Sequence, residues 1–362
     1  MQQTDKSFAV ILGMLVLSGL GIFISAAMGL MARNGATFSS VVATQIGLGL
    51  VCGLVLMFLA AHTDYRVLRR WAPLFFIFAL LLTALTLTPI GVSLKGASRW
   101  LAVGPITFQP EELLKLASVL VLASFYATHI KKTASIEYGL VPLLVVAGLS
   151  SIILLLQPDT DGVIMIGGAC ATMWFVSGSR FTHFMLLIAC SFMALLALAM
   201  YRPYLHARLE TFLHPTQDSL GSSYQTQQSL IAIGSGGLLG RGFGQSIEKF
   251  SYLPEPIGDS IFAVAGEEFG FVGTSALVIL FALFVLLGVR IATRAGDSFG
   301  SLTAIGLTVI MGGQAFYNIA STIGIVPLSG LPLIFVSHGG TALAIALGEA
   351  GILMNISKRA KP

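Results

Sequence analysis

Apolar residues dominate this chain in long runs, and polar residues interrupt them only briefly. Ten runs are long enough to cross a bilayer as helices. They lie at about 8–30, 40–61, 72–90, 111–128, 139–156, 162–178, 183–201, 261–289, 301–323 and 340–356. The pattern predicts an all-α integral membrane protein with ten transmembrane helices, organised as one domain over 1–362. The first run is longer than the apolar core of a signal peptide and is read as an uncleaved span. Two connections stand out by length, about 91–110 and about 202–260. The second is a large loop between the seventh and eighth spans, and long loops usually carry function.

Charge fixes the direction of the spans. The segments that an inside N-terminus would place in the cytoplasm hold Lys6, Arg66, Arg69, Arg70, Lys131, Lys132, Arg180, Arg290, Arg294, Lys358, Arg359 and Lys361. The opposite segments hold Arg33, Lys95, Arg99, Arg202, Arg208, Arg241 and Lys249, four of them in the one long loop. Long loops count little in the positive-inside rule, so both termini are expected in the cytoplasm and both long connections outside.

Composition strengthens this reading. The chain is 56% hydrophobic and 10% charged, far from the roughly 25% charge of soluble domains. Its net charge of +4 is spread over short loops, which argues for membrane lipid and against nucleic acid as its environment. Cys52, Cys170 and Cys190 all sit within apolar runs, and neither CxxC nor HExxH occurs.

The chemistry-bearing positions are few. In "FQPEELLKLA" Pro110 suits a first helical turn and Glu111 suits the positive end of the helix dipole. Glu112 and Lys115 are three apart and share a face, and a lysine this deep in lipid needs a partner or a wet cavity. "QPDTD" (157–161) places Asp159 and Asp161 at a helix end, as solvated loop acids or as oxygen ligands for a divalent cation. "GSGGLLGRGFGQSIEKF" (234–250) is either a flexible turn or a loop whose N–H groups, with Arg241 and Lys249, face a pyrophosphate. "SHGGTA" (337–342) brings Ser337 and His338 to a helix mouth. The stretch "LPEPIGDSIFAVAGEEFG" (253–270) carries four of the sixteen acidic residues. It sets Asp259 at the rim of the eighth span, with Glu267 and Glu268 about two turns inside, where carboxylates are costly unless paired or cavity-facing.

Together these segments resemble the SEDS family (shape, elongation, division and sporulation proteins) of the FtsW/RodA type. The resemblance runs through "GASRW" (96–100), "FQPEELLKL", "QPD" (157–159), "RPYLHARL" (202–209), "QSLIAIGSGGLLGRGFGQSIEKFSYLPE" (228–255), "DSIFAVAGEEFGFVG" (259–273) and "GLPLIFVSHGG" (330–340). "SIEKFSYLPE" is closer to the FtsW branch. The chain departs from the family at Glu111 (usually Ser), Asp161 (usually Gly) and "SHGGTA" (usually "SYGGSS").

The resemblance implies a ten-span peptidoglycan glycosyltransferase of the bacterial cytoplasmic membrane. Such a protein polymerises lipid II, an undecaprenyl-linked disaccharide peptide, at the outer membrane face. It would work beside a class B penicillin-binding protein and other division or elongation membrane proteins. The family's essential aspartate corresponds to Asp259, and its buried Glu–Lys pair to Glu112 and Lys115. On this reading Asp259 is the general base for a sugar hydroxyl. Arg99, Gln109, Arg208, Lys249 and Ser337 bind substrate, with the cations meeting the pyrophosphate charge. Glu267 and Glu268 shape the cavity, and Asp159 is the candidate ligand for a divalent cation such as Mg or Mn. No nucleotide is needed, because the donor arrives activated on its lipid. Two other classes remain to be discriminated. A lipid II flippase or transporter would use Glu112, Lys115, Glu267 and Glu268 as a path. A non-catalytic division scaffold would need none of these acids and bases.

Overall fold

The computed structural model describes residues 5–33, 35–94, 97–104, 106–214 and 223–359. Lys95 and Lys361, both part of the charge argument, lie outside the described residues.

Helix α1 (Lys6–Arg33) is followed by α2 (Gly35–Ala43), a π-helical stretch (Thr44–Val51) and α3 (Cys52–His62). Helix α4 (Tyr65–Leu85) starts seven residues before the predicted span. Its N-cap Asp64 accepts the Arg66 N–H at 2.9 Å, so the basic turn excluded on hydropathy is helical. Then come α5 (Pro110–Thr128), α6 (Val141–Leu156), α7 (Thr160–Val176) and α8 (Phe181–Tyr201). The long connection carries α9 (Pro203–Leu213), α10 (Tyr224–Ser235) and the single turn α11 (Glu248–Ser251). Helices α12 (Ile261–Arg294), α13 (Ser298–Thr322) and α14 (Gly340–Ser357) complete the chain.

The all-α expectation fails at one place. Residues between α4 and α5 form an antiparallel sheet of β1 (Gly91–Leu94), β2 (Ala97–Val103) and β3 (Ile106–Phe108), in that order. Val92 faces Trp100 and Leu101 faces Phe108, while Val103 pairs with Ile106, with Gly104 (φ 63°) following Val103. Hairpin pairing satisfies the backbone of this stretch in place of a helix.

Eight helical stretches among the described residues are long and apolar enough to cross a membrane. Two predicted spans fall outside that set for physical reasons. Helix α5 carries Glu111, Glu112 and Lys115 in its first turns, and α7 has only 17 residues. Both are nonetheless packed in the core, with Leu114, Leu122, Ile166 and Trp174 buried. Helices α13 and α14 form the buried hub, whereas no residue of α8 is buried.

The bundle has two distinct ends. At the terminal end, the Asp5 N–H donates to Ser357 Oγ at 3.2 Å and Arg66 Nε meets Asp297 at 2.9 Å, while Arg359 pairs with Asp64. Both ends of the described chain therefore lie together. Burial pushes the Asp297 carboxyl up, but the Gly300 N–H, Tyr65 and Arg66 outweigh it and hold it below the usual carboxylate range. The sheet, the α6–α7 connection, the α8–α12 connection and the α13–α14 connection gather at the opposite, sheet end.

Helix α12 is broken within its 34 residues at Gly270 (φ 63°, ψ −163°). A kink frees backbone groups, and each must find a new partner. The glycine loop supplies them. The N–H groups of Arg241 and Gly242 donate to the Glu267 and Glu268 carbonyls at 2.9 and 3.0 Å. The N–H groups of Phe271 and Val272 donate to the Gly237 and Leu238 carbonyls at 2.9 and 3.1 Å. Gly240 (φ 79°) lies so close that a Cβ there would stand 2.1 Å from the Glu268 carbonyl oxygen.

Candidate functional site at the sheet end

The connection from α13 to α14 is not helical at 324–339, although helices surround it. Irregular backbone inside a membrane protein needs internal partners. Three amide side chains from apolar helices provide them. Asn318 Nδ2 donates to the Leu331 carbonyl at 2.7 Å, and Gln314 Nε2 donates to the Pro332 carbonyl at 3.1 Å. Gln45, in the π-helical stretch, donates to the Ser337 carbonyl at 3.1 Å and accepts the Gly339 N–H at 2.9 Å.

Asp259 lies in the turn that rests on this segment. The His338 N–H donates to the Ile257 carbonyl at 2.7 Å, Ser337 Oγ to the Gly258 carbonyl at 2.8 Å, and Asn318 Nδ2 to the Asp259 carbonyl at 3.0 Å. Asp259 itself is half-buried, just before the buried start of α12 at Ser260. Burial holds the His338 imidazole below its ordinary value, against the opposing pull of Glu255.

The same segment carries the second part of the site. Asp161, in the first turn of α7, accepts from Arg208 Nη1 at 3.1 and 3.3 Å and from the Gly330 N–H at 3.1 Å. Arg208 comes from α9 and lies over the Tyr204 ring at 4.4 Å. Arg99, on β2, is 3.6 Å from Asp159 and donates through Nε to the Gln157 carbonyl at 3.4 Å and through Nη2 to the Pro158 carbonyl. Arg99, Arg208 and Asp161 converge on Gly330, each 3.9 Å from where a Cβ would stand there. Two guanidinium groups and the Asp259 turn thus meet on one short stretch of backbone.

Below them, Lys115 is fully buried. Its Nζ donates to Glu112 Oε1 at 2.8 Å and Gln314 Oε1 at 3.0 Å, and Glu111 Oε1 lies 3.7 Å away. Gln109 Nε2 donates to Glu111 Oε2 at 2.9 Å. Glu112 lines a small cavity with Gln314, Leu333, Ser337 and Gly339, which joins the pair to the irregular segment.

Three expectations need correction. Lys249 does not face a ligand: its side chain is fully buried, 2.6 Å from Glu268 Oε1 and 2.9 Å from Ser25 Oγ. The glycine loop's N–H groups do not cradle an external anion either. Glu267 accepts from Ser246 Oγ at 2.5 Å and from the N–H groups of Ile247 and Glu248 at 3.0 and 3.3 Å, with Arg241 Nε 3.5 Å away. The anion this loop holds is a carboxylate of its own chain. Ser337 is likewise engaged internally, accepting the Leu333 N–H at 2.8 Å while donating to Gly258.

A resident divalent cation at Asp159 does not suit these residues. Asp159 Oδ1 accepts the Gly162 N–H at 3.2 Å as the cap of α7, and Arg99 already balances the carboxylate. Its Oδ2 and Glu111 Oε1 are buried without hydrogen-bond partners, but two oxygens fall short of a hard-cation cage. No three His, Cys, Asp or Glu side chains among the described residues are grouped to hold a metal.

Sequence reasoning passed over Gln45, Gln314, Asn318 and Glu349. All four are polar side chains buried inside apolar helices, which is the signal that could have found them.

The fold and site define a polytopic membrane protein with Asp259, Arg99, Arg208 and Asp161 gathered at one end of the helix bundle. The family model FtsW/RodA/SpoVE, described as a cell cycle protein, matches residues 5–362, and the chain belongs to that family. Stage V sporulation protein E of Bacillus subtilis (strain 168) is 38% identical over 308 residues, covering 84% of each chain. The probable peptidoglycan glycosyltransferase FtsW of Nitrosococcus halophilus (strain Nc4) is 40% identical over 314 residues, 86% of this chain and 81% of that one. Among solved structures, a peptidoglycan synthase complex that coordinates polymerization and crosslinking matches with a TM-score of 0.79 at 26% identity, covering 98% and 97% of the two chains. Rod shape determining protein RodA of Thermus thermophilus matches with a TM-score of 0.68 at 25% identity, over 99% and 98%. The protein is a multi-pass protein of the bacterial inner membrane.

Proposed function

We propose that this chain polymerises lipid II into glycan strands at the outer face of the cytoplasmic membrane, as a peptidoglycan glycosyltransferase. One observation carries the reading beyond family membership. Asp259 and the guanidinium groups of Arg99 and Arg208 are tied to the same segment, Gly330–Ser337, at one end of the bundle.

The chemistry follows from that placement. A sugar hydroxyl is a poor nucleophile at neutral pH, and a carboxylate within hydrogen-bond reach takes its proton as the new glycosidic bond forms. Asp259 has that role. The bond that breaks releases undecaprenyl pyrophosphate, which leaves as an anion and needs cations rather than an acid. Arg208 is the stronger candidate. Its hydrogen bonds to Asp161 both use Nη1, which leaves further donors for a phosphate. Arg99 supports it, and Gln109 stands at the mouth of α5. A divalent cation belongs with the pyrophosphate rather than at Asp159. No nucleotide takes part, because the donor is already activated.

The reading includes ten spans, with α5 and α7 crossing beside the eight apolar helices. An even number of crossings fits chain ends that lie together, and the Lys/Arg bias puts them in the cytoplasm. The sheet and the α8–α12 connection are then extracytoplasmic. A class B penicillin-binding protein is the proposed partner, in a division or elongation complex.

The test uses the purified full chain with its penicillin-binding partner, labelled lipid II and Mg or Mn. Asp259→Ala is expected to lower polymer formation by about 10²–10⁴-fold while remaining folded. Wild-type rates in that variant would refute the assignment of the base. Lipid II scrambling across liposomes without polymer would favour the flippase.

A further inference from the structure

We propose that Asn318 is a positioning residue for the reaction: its side-chain amide fixes the backbone that presents Asp259. This rests on Asp259 as the general base.

Asn318 is fully buried within α13. Its Nδ2 makes two hydrogen bonds, to the Leu331 carbonyl at 2.7 Å and to the Asp259 carbonyl at 3.0 Å. Both neighbours are carbonyl oxygens, so only the NH₂ group fits between them, and the orientation of the amide is fixed by chemistry. Its Oδ1 is buried without a hydrogen-bond partner. A buried orphan acceptor is unfavourable, so the residue is not there to satisfy itself. The fold uses its donor side alone.

The bridge is specific in what it joins. Leu331 belongs to the segment on which Arg99, Arg208 and Asp161 converge at Gly330. Asp259 is the proposed base. One amide therefore sets the separation between the proton acceptor and the cations that meet the leaving group. Two further bonds act in the same direction: Ser337 Oγ holds the Gly258 carbonyl at 2.8 Å, and the His338 N–H holds the Ile257 carbonyl at 2.7 Å. Three consecutive carbonyls, at 257, 258 and 259, are thereby pinned, and the side chain of residue 259 inherits their position. None of these donors contacts the reacting atoms, so their effect is on geometry. A displacement near 1 Å is worth about 10²-fold in rate.

The experiment compares wild type, Asn318→Leu, Asn318→Gln and Asp259→Ala in the full chain with its partner, at varied lipid II concentration. Rates are normalised to folded protein by size-exclusion chromatography. Asn318→Leu keeps the shape but loses the donor; kcat is expected to fall about 10- to 100-fold with KM within about threefold. Asn318→Gln keeps an NH₂ group and is expected to recover part of kcat. Hydrogen exchange should rise in Leu331–Ser337 and Gly258–Ile261 of Asn318→Leu and remain unchanged elsewhere. If Asn318→Leu does not accumulate, Ser337→Ala carries the test at Gly258, with the same split expected at smaller size. A merely structural role would lower the folded yield and leave kcat per folded molecule unchanged, which overturns the proposal. So would a change confined to KM. If Asp259→Ala is inactive while the Asn318 and Ser337 variants match wild type, positioning alone fails. An active Asp259→Ala removes the base assignment itself.

Discussion

At the residue scale, the buried charges divide into groups used by the fold and groups left for chemistry. Lys249 and Glu268 are both inaccessible and 2.6 Å apart, with Ser25 closing the cluster. Removing one partner strands the other charge, so Lys249→Ala is expected to destabilise the protein by about 3–5 kcal/mol. Replacing both, as Lys249→Met with Glu268→Gln, should recover much of that loss, read as thermal unfolding in detergent. His338 behaves differently. Burial favours its neutral form, so its folded pKa lies below the unfolded value of about 6.5. Its contribution to stability is complete above that value and is lost as pH falls through the folded pKa. The melting temperature should decline from pH 7 towards pH 5, and His338→Asn should flatten that decline.

At the scale of elements, the kink in α12 and the glycine loop form one device. The loop supplies donors and acceptors that the broken helix lacks, and it can do so only with glycine at the closest approach. Gly240→Ala combines a positive φ with a clash against the Glu268 carbonyl, and should cost about 2 kcal/mol or more. Gly234→Ala, in α10 with open space around its Cβ position, should be neutral or mildly stabilising. Melting curves of the two variants beside wild type check both expectations. The sheet is the other element that hydropathy could not reveal. Hydropathy marks 91–108 only as a gap between apolar runs, and the pairing across Gly104 appears only in the fold.

At the scale of the whole molecule, the sidedness of the two ends decides where the chemistry occurs. The sheet end carries Asp259, Arg99 and Arg208, and the terminal end carries Asp64, Arg66, Asp297 and Arg359. In a variant with Cys52, Cys170 and Cys190 replaced by Ala, a single cysteine at exposed Leu239 should react with an impermeant maleimide in intact spheroplasts. One at exposed Lys132 should react only after permeabilisation. The reverse labelling would invert the proposed topology. No residue of helix α8 is buried, so its position is set by lipid and by its connections more than by packing.

The membrane class, the family and the stretches where polar chemistry collects are legible in the chain alone. Hydropathy, charge bias and ordered motifs are local properties, and they survive without knowledge of contacts. What each polar group faces emerges only from the packed fold. In the sequence, 234–250 fits a flexible turn or an anion-facing loop equally well; in the fold Glu267 and Glu268 occupy the loop N–H groups and Lys249. Asn318 and Gln45 are polar residues within apolar runs of the sequence. Their partners lie 59 and 13 residues away for Asn318 and more than 290 away for Gln45. Hydrogen bonds between such distant positions leave no periodicity in the chain. They exist only once the helices have packed and the irregular segment at 324–339 requires partners inside the protein.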